Sequence, residues 1–122
     1  MMIQILSSRA TPKQMQTMPE SLGIYVKLVI DVERKILAGG GELHADCEKI
    51  LLRNGSRQVN LWGADWYPFS QTIGYESIIN IRVSANNRSM EIQGLGIRSR
   101  VDEIVYLVHG RTNSIARITR SE

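Results

Sequence analysis

The chain is poor in the residues that most readily betray a function. Of its 122 residues, one is cysteine, one phenylalanine, two are histidine and three are proline. A lone cysteine forms no internal disulfide, so nothing argues for an oxidising compartment and the expected location is the cytoplasm. Long apolar runs are missing as well. Residues 1–6 are shorter than the hydrophobic region of a signal peptide, and no stretch approaches bilayer-spanning length, so no membrane association is expected. There is no nucleophile–base–orienter set, no phosphate-loop signature and no metal-ligand spacing, and the cofactor, if any, is unknown from the sequence.

Charge of one sign is also scarce. The formal net charge is +3 and the pI about 9.3. Arg111, Arg117 and Arg120 against Glu122 leave residues 111–122 at +2, so the remainder is nearly neutral. A nearly neutral body lacks the Lys/Arg face of a dedicated nucleic-acid binder, and no nucleic-acid partner is expected.

What remains is an ordinary globular composition, 43% hydrophobic and 22% charged, of single-domain length. The expected division is one domain over residues 1–110 and a basic tail over 111–122. The expected architecture is α+β: a mostly antiparallel sheet of four to five strands, two main helices packed on it, and a short N-terminal helix. Residues 2–6 read as a short strand. Thr11-Pro12 pairs an N-cap with a proline at the first helical position, and Met15 and Met18 share a face before Pro19 and Gly23, which gives the short helix.

Residues 25–33 alternate, with Val26, Leu28, Ile30 and Val32 on one face and Lys27, Asp31 and Glu33 joining Val29 on the other. That pattern predicts a half-buried strand, with Ile36-Leu37-Ala38 returning as its hairpin partner. Leu43, Cys47, Ile50 and Leu51 recur at helical spacing before Asn54-Gly55, predicting a helix over 42–53. Val59 and Leu61 suggest a strand over 57–62. The stretch 63–74, with Trp66, Tyr67, Pro68 and Phe69, reads as an aromatic loop folded over the core or presented as a binding surface. A central strand is predicted over 75–83, a turn over 85–89, a short strand over 90–92 and a helix over 97–109.

The segment from Gly39 to Glu48 gathers most of the chemistry. Three successive glycines admit positive φ and a tight turn whose N–H groups hold an anion, with a helix N-terminus beyond them. His44 and Glu48 stand four residues apart on that helix, so the carboxylate can orient the imidazole. The bland readings are a plain strand-to-helix connection, a solvent-side His–Glu pair, and a Cys47 that behaves as a small hydrophobe.

Taken together, Gly40-Gly41-Glu42-Leu43-His44-Ala45-Asp46, Leu61-Trp62-Gly63, Ser77-Ile78-Ile79-Asn80-Ile81-Arg82 and Asn87-Arg88-Ser89 resemble a group of small bacterial proteins grouped as a domain of unknown function. The resemblance spans residues 3–108. It departs at Val83, where the family pattern carries proline, and it leaves out the tail from Arg111. It implies that these segments belong together and names no reaction.

Two functional readings follow. The leading one is a small binding or interaction domain that forms a homo-oligomer through strand edges or the aromatic loop. The alternative is an enzyme or binder acting on a small phosphate- or carboxylate-bearing molecule. In it His44 is the acid or base, Glu48 or Asp46 orients it, and Gly40, Gly41, Arg82, Arg88, Asn87 and Trp62 form the binding set. Arg82 and Arg88 are fork-shaped donors suited to such anions, or to structural pairing with Glu42, Asp46 or Glu48.

Overall fold

The computed structural model describes residues 3–6 and 25–110. The expected N-terminal helix and the basic tail lie outside the described residues. Five strands form one sheet: β1 (Gln4–Leu6), β2 (Val26–Asp31), β3 (Ile36–Gly39), β4 (Leu61–Tyr67) and β5 (Thr72–Gly74). Their order is β1-β3-β2-β4-β5, and every neighbouring pair is antiparallel. Helix α1 (His44–Arg53) joins β3 to β4, and helix α2 (Leu95–His109) follows the last strand.

The helices lie on opposite faces, which is why β2 reads as an almost unbroken apolar run. Leu28 and Ile30 pack with Leu37, Trp62, Trp66 and the α2 residues Val101, Ile104, Val105 and Val108. Val29, on the other face, packs with Ala38, Leu61 and the α1 residues Cys47 and Leu51. The face expected to meet solvent is covered by α1, and Asp31 is fully buried. Its carboxylate shapes the β2–β3 turn: Oδ1 accepts the N–H groups of Glu33 and Arg34 at 3.0 and 2.9 Å.

Three predicted elements are corrected. The strand expected over 57–62 lies at 61–67, because residues 58–60 form a single 3-10 turn. The aromatic stretch is a β4–β5 hairpin: Trp62, Ala64 and Trp66 alternate onto the α2 face, and Trp66 meets Tyr106 edge to face. The strand expected over 75–83 is absent. Residues 78–80 and 83–85 are short 3-10 turns, and pairing there and over 90–92 reduces to the bridges Glu76–Glu91 and Arg82–Asn87.

Asn80 explains that last departure. Fully buried, its side chain accepts from Gly63 N–H at 2.8 Å and donates to the carbonyls of Gly63, Tyr75 and Met90 at 3.0, 3.1 and 3.0 Å. These bonds lay residues 77–80 across β4 on the α1 face, where Ile79 joins the smaller core. The crossing needs glycine beneath it: a Cβ on Gly63 would stand 2.5 Å from Ser77 Cβ.

Candidate functional site

At the turn between β3 and α1, the glycines serve packing. Gly40 takes φ 105°, which favours glycine. Gly41 is buried, and a Cβ there would lie 3.1 Å from Cys47 Sγ and 3.2 Å from Ile3 Cδ1. The helix N-terminus already has a carboxylate beside it, since Leu43 N–H donates to Asp46 Oδ2 at 3.2 Å. Asp46 therefore caps its own helix.

His44, the first residue of α1, is drawn to β4. Its Nε2 lies 2.9 Å from the Ala64 carbonyl and 3.0 Å from Asp65 Oδ1. Both partners accept, so Nε2 carries the proton and donates to both, and the lone pair of the neutral ring sits on Nδ1. The two side chains are only 11% and 15% exposed. Asp65, not Glu48 or Asp46, orients the imidazole. Lys27 stands opposite Asp65 in the β2–β4 register, and Tyr25 and Tyr67 pack with ring centroids 5.5 Å apart. Burial pushes the Tyr67 phenol up, with smaller pushes from Asp65, Tyr25 and Glu76. The result is a compact polar patch centred on an aspartate–histidine pair. Asp65 was hidden in the stretch read as a loop; the alternation of Trp62, Ala64 and Trp66 is the signal that places it on the α1 face.

Arg82 and Glu48 belong to a different place. The Arg82 guanidinium donates to the carbonyls of Leu61, Ile79 and Val59, the last two at 3.2 and 3.4 Å, and lies 4.6 Å over the Trp62 ring. Its anchor on β4, Leu61, is three to four residues from the atoms that hold His44. At about 3.3 Å per residue this separates the two by roughly 10–13 Å. Partial burial lowers the Arg82 pKa, and Glu48 opposes that shift. The two line a cleft of about 230 Å³ with Gln58, Val59, Ile79, Ile81 and Ser84, and Gln58 Nε2 reaches Glu48 at 3.4 Å. Trp62 is the plate under Arg82 and is itself buried.

The remaining residues of the expected set divide sharply. Asn87 is buried and donates to the carbonyls of Asn80, Ser89 and Glu91 at 2.8, 2.9 and 2.9 Å, and it accepts from Gln93 N–H at 2.8 Å. It closes the 80–93 loop from within. Arg88 beside it is exposed, and among the described residues only its backbone N–H is engaged, by Gln93. His44, Arg82 and Arg88 therefore do not surround one concavity.

Cys47 lies in the smaller core, and burial raises its thiol from 9.0 to about 11, which keeps it protonated at neutral pH. Among the described residues no three His, Cys, Asp or Glu side chains gather as metal ligands would. No helix among them is long and apolar enough to cross a membrane.

The feature that the sequence did not announce surrounds the Arg82 cleft. Val59, Ile78, Ile81 and Val83 are 59%, 70%, 47% and 67% exposed. Two of them line the cleft, and the others head the two 3-10 turns beside it. A β-branched side chain on a 3-10 turn has no sheet to pack against.

No curated protein and no solved structure gives a significant match to the chain. The segments Leu61-Trp62-Gly63, Ile78–Arg82 and Asn87, singled out in the sequence, prove to be one interlocked unit over β4. The chain belongs to the family described as Protein of unknown function (DUF5674), whose model matches residues 4–108.

Proposed function

We propose that the protein is a small interaction domain that associates with itself through the face carrying Val59, Ile78, Ile81 and Val83. The observation that carries this reading is that exposed Val59 and Ile81 line one cleft while exposed Ile78 and Val83 head the two 3-10 turns that contribute Ile79 and Ser84 to it, since clustered apolar area is uncommon on a surface that meets only water. The sheet edges are weaker candidates. β1 and β5 have three residues each, too few for much edge-to-edge pairing. Light scattering at tens of micromolar is the test. The wild-type mass should approach twice 13.8 kDa, and Ile78→Glu with Val83→Glu should return it to one chain with little change in melting temperature. A monomeric wild type at that concentration removes the reading.

The His44–Asp65 pair supports a second reading, acid–base chemistry or anion capture toward a small phosphate or carboxylate at the start of α1. An imidazole fixed by a carboxylate on one nitrogen presents the other as a base. Inorganic phosphate titrated into a melting assay checks it. A site filled to a hundredfold over its dissociation constant adds about 2.7 kcal/mol, which His44→Gln should abolish. An unmoved wild-type midpoint excludes capture of that anion.

A further inference from the structure

We infer that the occupant of this face is a second copy related by a two-fold axis, and that Arg82 of each copy pairs with Glu48 of the other. The inference rests on the self-association reading and specifies its geometry.

A two-fold interface brings one patch against itself, so the patch must be its own complement. A patch of one charge sign meets its like across the axis and is repelled. This one carries both signs. Glu48 and Arg82 line the same cleft and Arg82 feels the carboxylate's field, yet among the described residues no ion pair joins them. Arg82 is held still by three carbonyls and the Trp62 ring, and its three bonds leave two of the five guanidinium N–H groups without a partner among the described residues. Glu48 has only the long contact from Gln58 among those residues. Each group is thus short of one strong partner, and each finds it on a copy turned through half a rotation. The face carrying Val59, Ile78, Ile81 and Val83 then meets the same face of the partner around the charges, excluding water and strengthening the pairs. A guanidinium already rigid in the free chain loses little freedom when it pairs, which favours Arg82 over the long surface lysines as the anchor.

The geometry makes a prediction that general stickiness does not. Glu48→Lys sets an ammonium against Arg82 at both contacts of its homodimer, and Arg82→Glu sets a second carboxylate against Glu48 at both contacts of its own. Mixed one to one, the two variants form a heterodimer in which one contact joins two native residues and the other joins the two introduced ones. The first variant keeps Arg82, the second keeps Glu48, and the introduced ammonium faces the introduced carboxylate. Both contacts are attractive again. By sedimentation of the full chain, each variant alone should dimerise at least a hundredfold more weakly than wild type, and the mixture should recover to within about tenfold. Two folded variants that stay monomeric when mixed overturn the pairing.

Arg82 also holds β4 carbonyls, so circular dichroism must show that Arg82→Glu folds. Should it unfold, Glu48→Lys decides alone. Its homodimer should be the weakest, its heterodimer with wild type intermediate, and rising salt should strengthen the first while weakening the wild type. Glu48→Lys that dimerises as tightly as wild type overturns the pairing. If it does so while Ile78→Glu is monomeric, the apolar face stands and only the pairing fails; a monomeric wild type removes both.

Discussion

The turn at Gly39–Glu48 and the crossing segment at Ser77–Asn87 are both polar stretches set against a glycine, Gly40 or Gly41 in one and Gly63 in the other, and they use their polar side chains in opposite ways. At the turn, the polar groups stay near the surface and leave capacity unused: both His44 contacts fall on Nε2, and Lys27 and Tyr67 are only partly buried. At the crossing, Asn80 and Asn87 are buried and their hydrogen bonds run to backbone groups. Amide side chains standing in for a strand ladder hold a segment with almost no ladder of its own. A polar residue in a distinctive motif is therefore no guide to ligand binding until its partners are known.

The contrast is broken most severely at Asn80. Asn80→Ala strands both backbone groups of Gly63 in a buried setting, and the expected loss is roughly 3–5 kcal/mol by chemical denaturation, the range of a broken buried network. A loss below about 1 kcal/mol, the worth of a single ordinary hydrogen bond, would mean that the crossing is held by Ile79 packing instead.

Next in size is Cys47, which lies under the turn. Its thiol is raised from 9.0 to about 11 by burial first, with Asp46 adding to it and the Gly41 backbone and Lys27 opposing. The folded chain holds this proton more tightly than the unfolded chain. The contribution is therefore complete below pH 9 and lost as pH rises from about 9 to 11, at most on the order of 2–3 kcal/mol. Denaturation midpoints should fall across that window, and Cys47→Ala should flatten the fall attributable to this group. An equal slope in the variant assigns the loss to tyrosines.

Arg88 marks the small end. Adjacent to the buried Asn87 but exposed, Arg88→Ala should change stability by less than about 0.5 kcal/mol, while Asn87→Ala costs several times more. Equal losses at the two positions would erase the distinction between motif and lock.

The sequence made the β2–β3 hairpin, α1 and α2 legible because each carries a clean period. The helices begin at His44 and Leu95, each within two residues of its expected start. It misled at Ser77–Val83, where isoleucines and valine at strand-like density sit on 3-10 turns, because β propensity describes what packs on a pleated surface and here there is none. Trp62, Ala64 and Trp66 alternated correctly, but Pro68 and the density of rings drew the reading toward a loop. The site was half legible. His44 stood out as one of two histidines, whereas its partner Asp65 comes from another element 21 residues away, a juxtaposition that only the β4 register creates.

Gly63 has a consequence on the scale of descent rather than of folding. A methyl group at that position collides with Ser77, and moving Ser77 displaces Asn80 from the amide it holds. A side chain at position 63 is therefore expected only where residue 77 or its path over β4 has changed as well. Relatives in which residue 63 varies while 77 and 80 stay constant would show that the collision is tolerated after all.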